Sequence, residues 1–352
     1  MRTPVKLFAT TGTETLADEI VKLLEPSITG PEISLSRGRL EVRRFSNENL
    51  EVQVDNVRDH VVVVLHTMVS PVNEHLIELM ALLDAINNAH PRTTYLAFPY
   101  MPYCRSDRKN RPRISVMGQR LPEILNKVLG VRRVLLVEPH DPHIKQYFVP
   151  TADEVPGVPL LVENIRERMD NGWQRDDCVV VFADTGAARR FEEVPSALGV
   201  EPAYIHKVRL DHSENPTTKG VIGNVKGKHC LLVDDEILTG NTVLKDAELL
   251  KAEGAASVRM FAVHGIFMDQ KRSTEALMRK LADSCVDEFV VTDTVPVLDK
   301  AALGGPKFTV VPVAPLLSTA IRRMILGESL SQLHRLDRPD RASFSAREML
   351  GV

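Results

Sequence analysis

Short β-branched runs alternating with longer amphipathic segments place this sequence in the α/β class, with mainly parallel sheets flanked by helices. Three observations predict it. The runs at 61–65 (VVVVL) and 179–182 (VVVF) are unbroken apolar stretches, as in strands buried on both faces. Between such runs lie helical patterns, for example Leu76, Leu79, Met80, Leu83 and Ile86, spaced by three and four. Finally, 352 residues are too many for one ordinary core and suit two domains of about 150 residues each.

In chain order, strands are predicted at 5–9, 61–65, 94–98 and 133–137, with helices at 13–24, 73–88 and 121–129. The second half repeats the alternation with strands at 179–182, 229–233, 258–263, 289–292 and 309–311, then a helix at 314–325. The pattern recurs between the halves, without direct sequence repetition. Pro156, Gly157 and Pro159 lie in the stretch 150–159 between two periodic regions and mark the boundary. This predicts domains at 1–155 and 156–325 and an extension at 326–352. The extension carries Arg335, Asp337, Arg338, Asp340 and Arg341 and few large apolar residues, so it is expected to pack on the surface or stay partly mobile.

The composition, 43% hydrophobic and 26% charged, is that of a globular protein in water. A net charge of −3 supplies no global positive field for nucleic acid or an anionic membrane. A polyanionic ligand would need a local basic site, which favours a small phosphorylated molecule. Cys104, Cys178, Cys230 and Cys285 are widely separated and show neither metal-ligand nor redox spacing. Four reduced thiols, no apolar run at the N-terminus and no apolar stretch near the roughly 20 residues of a membrane span predict a cytoplasmic protein.

The segment 231–242, LLVDDEILTGNT, carries the clearest chemistry. Its apolar run predicts a buried strand, with Asp234 and Asp235 where the strand leaves the sheet, the end at which open α/β sheets bind ligands. Thr239, Gly240, Asn241 and Thr242 then lead into a helix. Small and hydroxylated residues there let backbone N–H groups close around a phosphate at the positive helix end. Two carboxylates beside that nest would repel the phosphate, so they are assigned to ribose hydroxyls, directly or through hydrated Mg²⁺. An acidic capping turn is the bland alternative. This arrangement resembles the phosphoribosyl-pyrophosphate motif of the type I phosphoribosyltransferase fold.

Further stretches resemble ribose-phosphate pyrophosphokinases. Residues 44–47, RFSN, with Asn49 shortly after, look like that family's nucleotide loop, with Phe45, Asn47 and Asn49 toward the base. PVNEHLIEL at 71–79 resembles a helix start, and PYMPYCRSDRK at 99–109 resembles the ATP loop, through Arg105, Ser106 and Asp107. Arg108 and Lys109 read as general phosphate attraction. Glu138-Pro139-His140, followed by Gln146-Tyr147-Phe148, resembles the segment with a metal-linked histidine. Asp184, with Thr185-Gly186-Ala187, resembles a loop with a magnesium-binding aspartate, although a strand-terminal Asp is also a common helix cap. Lys207 and Arg209 resemble a pair on a mobile loop that closes over the transferring phosphates. His143 lies three residues after His140, but no third ligand at sensible spacing supports zinc.

The resemblance runs in order over about residues 4–333. It implies two type I phosphoribosyltransferase-like domains with the active site between them. The implied activity is Mg²⁺-dependent transfer of a diphosphoryl group from ATP, or another nucleoside triphosphate, to the 1-hydroxyl of ribose 5-phosphate. It also implies a homo-oligomer, dimer-based and possibly hexameric, whose nucleotide is met partly by the Phe45 loop of a neighbour. Three loops depart from the family pattern. Asn49 stands for a glutamate, Cys104 and Ser106 replace Ala and Gln, and Leu238 and Asn241 replace an acid and a glycine. Plant relatives called class II share related departures, including Lys-Val-Arg in the mobile loop. Three other readings stay open at this point: a larger acceptor such as ADP-ribose, a silent synthetase-associated partner, and a base-transferring phosphoribosyltransferase.

Overall fold

The computed structural model describes residues 3–28, 33–107, 109, 112–208 and 217–336, with only the backbone for 27, 207, 208 and 217–219. The first half contributes β1 (Thr3–Ala9), β2 (Ile33–Arg37), β3 (Leu40–Arg44), β4 (Leu50–Val54), β5 (Val61–Leu65), β6 (Thr93–Phe98), β7 (Arg133–Val137) and β8 (Asp153–Val155). Six of these form a parallel sheet in the order β2-β1-β5-β6-β7-β8. β3 and β4 pair as a separate antiparallel ribbon. The second half supplies β9 (Cys178–Phe182), β10 (Glu201–Val208), β11 (Thr217–Ile222), β12 (His229–Ile237), β13 (Ser257–Gly265), β14 (Glu288–Thr292) and β15 (Phe308–Val311). Their order is β11-β10-β9-β12-β13-β14-β15, parallel except for the edge pair β10–β11.

The predicted strands are present because their side chains suit burial on both faces. All five residues of β5 and of β9 are buried, as central strands of a helix-covered parallel sheet require. The boundaries differ in instructive ways. The interval 150–159 is not a loop, since Asp153–Val155 pairs with β7 and a helix begins at Val158. Three residues are too few to show a period. The expected helix at 121–129 is a short α-helix, Met117–Glu123, continued by a π-helical turn, Ile124–Val128. Pro122, inside it, has no N–H to donate.

The helix Glu14–Ile28 buries Leu16, Ala17, Ile20, Leu24 and Ile28 on one face. It packs against the helix Ala314–Leu326, which buries Leu316, Leu317, Ala320, Ile321 and Met324. One apolar cluster therefore holds residues from both halves. Arg133 Nη1 adds a hydrogen bond to Met324 O at 3.1 Å across the same junction. No helix among the described residues is long and apolar enough to cross a membrane.

Candidate active site

Between β9 and β12 the strand order reverses, with β10 and β11 on one side and β13 to β15 on the other. Such a switch point opens a crevice at the carboxyl ends of the strands. β12 continues to Ile237, four residues past its expected end at 233. Its pairing with β9 ends at Leu232–Val181, whereas its pairing with β13 extends through Asp234–Ala262 and Glu236–His264 to Ile237–Gly265. Asp234 and Asp235 thus stand on a rigid strand overhanging the crevice rather than on a loop. Asp184 follows the neighbouring β9, so three acids meet at this edge.

The first half supplies the opposite wall. His140, just beyond β7, places Nδ1 2.6 Å from Asp235 Oδ2. The two residues lie 95 positions apart in sequence. This hydrogen bond, together with the Asp235 and Glu236 charges, raises the His140 pKa despite partial burial. Burial alone would push Asp235 up, but the His140 bond and charge and the Arg190 guanidinium hold it well below the ordinary carboxylate range. Asp234 goes the other way, raised by burial and by the charges of Asp235 and Asp184. Acids crowded enough to raise one another are a natural setting for a divalent cation. One donor atom each from His140, Asp235 and Glu236 lie within 4.8 Å of one another, a nitrogen and two carboxylate oxygens. Asp184 is outside that group. Its carboxylate accepts the Ala187 N–H at 2.9 Å, capping the helix Thr185–Arg190.

Glu236, the third acid of the run, is nearly buried and bridges the two halves. It accepts a 2.8 Å bond from the Tyr100 hydroxyl and pairs with Arg105 Nη1 at 3.0 Å. Burial, then the Asp235 charge, raises its pKa. Cys104 sits beneath this group, its thiol pushed up to about 12 by burial. Tyr100 also packs edge-on to His264, ring centroids 4.7 Å apart. Burial lowers the His264 pKa to about 4, so the ring is neutral at pH 7. Its Nε2 faces the Glu138 carbonyl at 2.9 Å and must donate there, leaving Nδ1, 2.8 Å from Thr294 Oγ1, as acceptor.

Beyond β12, Gly240 takes a left-handed φ of 70° as the residue before the helix Asn241–Ala252. Thr239 Oγ1 accepts from Asn241 N at 3.4 Å. Asn241 and Thr242 are exposed, and Lys280 donates to the Asn241 side chain. The loop therefore presents an open helix N-terminus with a cation alongside.

Other expected residues lie elsewhere. Phe45, Asn47 and Asn49 form the tip of the β3–β4 ribbon, closed by Phe45 N to Asn49 O at 2.9 Å and Asn49 N to Asn47 Oδ1 at 3.2 Å. Phe45 is half exposed. Among the described residues, no hydrogen bond or ion pair links this tip to His140, and Arg44 pairs with Glu74 on the helix Val72–Asn88. Ser106 holds its own loop shut, accepting from Met117 N at 3.2 Å, while Asp107 follows it on the same loop. Lys207 is near the end of β10, where the pairing with β11 shifts register. Its side chain and all of Arg209 lie outside the described residues, as does Arg108.

The sequence assigns no role to Glu236, Tyr100, Arg190, Glu138, His264 or Lys280. Glu236 could have been found, since an acid at the end of a buried apolar strand needs partners. Arg190 and His264 carry no local signal, because their partners come from the other half of the chain.

Residues 5–128 match the family model described as the N-terminal domain of ribose phosphate pyrophosphokinase, and residues 196–335 match the phosphoribosyl synthetase-associated domain. Among curated proteins, the chain is 33% identical to a ribose-phosphate pyrophosphokinase of Ralstonia nicotianae over 320 residues, covering 90% of this chain and 94% of that one. A Chromobacterium violaceum protein of the same name is 34% identical, covering 93% and 94%. The crystal structure of phosphoribosylpyrophosphate synthetase from Mycobacterium smegmatis superposes with a TM-score of 0.80 at 30% identity, covering 92% of this chain and 100% of that one.

Proposed function

Because the chain belongs to the ribose-phosphate pyrophosphokinase family, we propose that it transfers the diphosphoryl group of ATP, or a related nucleoside triphosphate, to the 1-hydroxyl of ribose 5-phosphate. Each half is a type I phosphoribosyltransferase-like α/β unit. The observation that carries the reading is the His140–Asp235 bond at the β9/β12 switch point, where one wall comes from each half. In the reaction, the sugar hydroxyl oxygen bonds to the β-phosphorus and the bond from that phosphorus to the α-phosphate oxygen breaks. AMP leaves, and the hydroxyl proton is released.

The ribose phosphate fits the Thr239–Thr242 loop, with the phosphate on the backbone N–H groups of Gly240, Asn241 and Thr242 and the hydroxyls toward Asp234 and Asp235. Magnesium would be held by His140 at the nucleotide and by Asp184 beside the ribose phosphate, and when bound it would offset phosphate charge. Arg105 and Asp107 would face the triphosphate. Ser106, occupied in its own loop, acts by shaping that loop. Lys207 and Arg209 would complete the charge around the transferred group. Phe45, Asn47 and Asn49, at the exposed tip of the ribbon, would serve a neighbouring subunit's nucleotide in a dimer-based homo-oligomer. We place the functional units at 1–155 and 156–325, with 326–352 as an extension, and the protein in the cytoplasm.

The test is incubation with ribose 5-phosphate, Mg²⁺ and a panel of nucleoside triphosphates. Monophosphate release that requires the sugar phosphate, and that falls at least a hundredfold in Lys207→Ala, is expected; electrostatic stabilisation of this kind is worth about 10²–10³ in rate. No release with any donor would sink the reading.

A further inference from the structure

Arg190 ends the helix Thr185–Arg190, whose first turn is capped by Asp184. Its guanidinium is largely buried, and most of its donors go to one turn of the opposite half. Nε and Nη2 lie 2.8 and 2.6 Å from Glu138 Oε1, Nη2 donates to Pro139 O at 2.6 Å, and Nη1 donates to His140 O at 2.8 Å. Nη1 is also 3.5 Å from Asp235 Oδ2, the oxygen that holds the His140 ring. The imidazole is therefore fixed at both ends, at its ring by Asp235 and at its main chain by Arg190.

The turn needs such fixing. Glu138 has a φ of 41°, a left-handed conformation that a residue with a Cβ adopts at a cost. Strain of this kind persists where the surroundings over-determine it. Here Glu138 Oε2 accepts from Gly157 N at 2.8 Å and its carbonyl accepts from His264, while Arg190 takes Oε1 and the next two carbonyls.

We propose that Arg190 is a positioning residue for the reaction, clamping the turn 138–140 so that the His140 imidazole faces the crevice. The inference rests on the reading of His140 as a group at the nucleotide site. Only a planar fork of five donors can reach a carboxylate and two successive carbonyls while lying beside Asp235. A lysine offers one nitrogen and cannot span them.

The experiment measures steady-state kinetics of the full chain for Arg190→Lys, Arg190→Ala and His140→Ala, with melting temperatures alongside. Arg190→Lys should lower kcat about tenfold or more while KM for ribose 5-phosphate stays within about twofold, since misplacement by an ångström can reduce rate about a hundredfold. Millimolar guanidinium should recover part of the Arg190→Ala rate and none of the His140→Ala rate. An Arg190→Lys enzyme with unchanged kcat overturns the proposal. So does a variant set in which kcat and melting temperature fall while KM rises, without guanidinium recovery. A fully active His140→Ala would instead overturn the reading of His140. If Arg190→Ala does not fold, the lysine variant still decides.

Discussion

Individual side chains at the crevice are held by partners from the other half, and this sets what their substitution does. Asp235→Asn keeps the shape but leaves a weaker acceptor for His140 and frees Arg190 of a charge. A fall in kcat of about a hundredfold is expected, with the ribose 5-phosphate KM as the parameter that separates lost placement from lost binding. Away from the crevice, Asp293 offers a pH test. Burial raises its pKa to about 6 from 3.8, although its carboxylate accepts the Val313 N–H at 2.6 Å. A raised acid favours the protonated folded form. Its stabilising contribution is thus complete below the unfolded value near 4 and lost as pH rises through about 6. The change is on the order of 2–3 kcal/mol. Asp293→Asn should flatten the stability profile across that window, read by denaturant titration at several pH values. The sequence made His140 and Asp235 legible because each follows an apolar run. Arg190 was not legible, since nothing near it in the chain says that its acceptors are Glu138, Pro139 and His140.

Elements divide in the same manner. β5 and β9 were readable from their unbroken apolar runs, and the long helix Val72–Asn88 from its spacing. The β3–β4 ribbon was not, because its strands are five residues each, half exposed, and studded with Glu41, Arg43, Arg44 and Glu51. The acids from Asp234 mark an end to β12 in the sequence, yet pairing with β13 carries the backbone on to Ile237. Two variants test elements at the site. Asp184→Asn retains the oxygen that caps the helix Thr185–Arg190 but loses the charge, whereas Asp184→Ala loses both. The first should keep the melting temperature while activity falls. The second should cost about 1 kcal/mol more in stability. Equal activity of Asp184→Asn and the parent would leave the residue as a cap alone. At Gly240, an added Cβ would meet Leu281 Cδ2 at 2.5 Å in a backbone with φ of 70°. Gly240→Ala should therefore destabilise by about 1–3 kcal/mol, checked by thermal melting.

For the whole molecule, the shared core outweighs the division into two sheets. Leu16, Ile20 and Leu24 lie in one cluster with Leu317, Ile321 and Met324, so on this face the two halves close one core together, while the other face of the second sheet carries a cluster of its own. A single unfolding transition is expected rather than two. Trp173, the sole tryptophan, lies in the second half, stacked near His229 and under Arg259 at 4.4 Å. Its fluorescence should change at the same denaturant concentration as far-UV circular dichroism, which senses both halves. Separate midpoints would show independent units. Pro156, Gly157 and Pro159 give the sequence a composition change near 150–159, where the chain forms β8 and then starts a helix at Val158. The docking of the first helix on the last was not, because hydrophobic periodicity tells which face is buried and is silent about what covers it.

That docking also bears on how the chain is made. About 290 residues separate the end of the helix Glu14–Ile28 from the start of Ala314–Leu326. At synthesis rates of about 5–20 residues per second, the interval is roughly 15–60 s. Throughout it, the apolar stripe of Leu16, Ile20 and Leu24 emerges from the ribosome without its natural cover. Nascent chains of this protein should accordingly engage a chaperone at the N-terminal helix until translation is nearly complete.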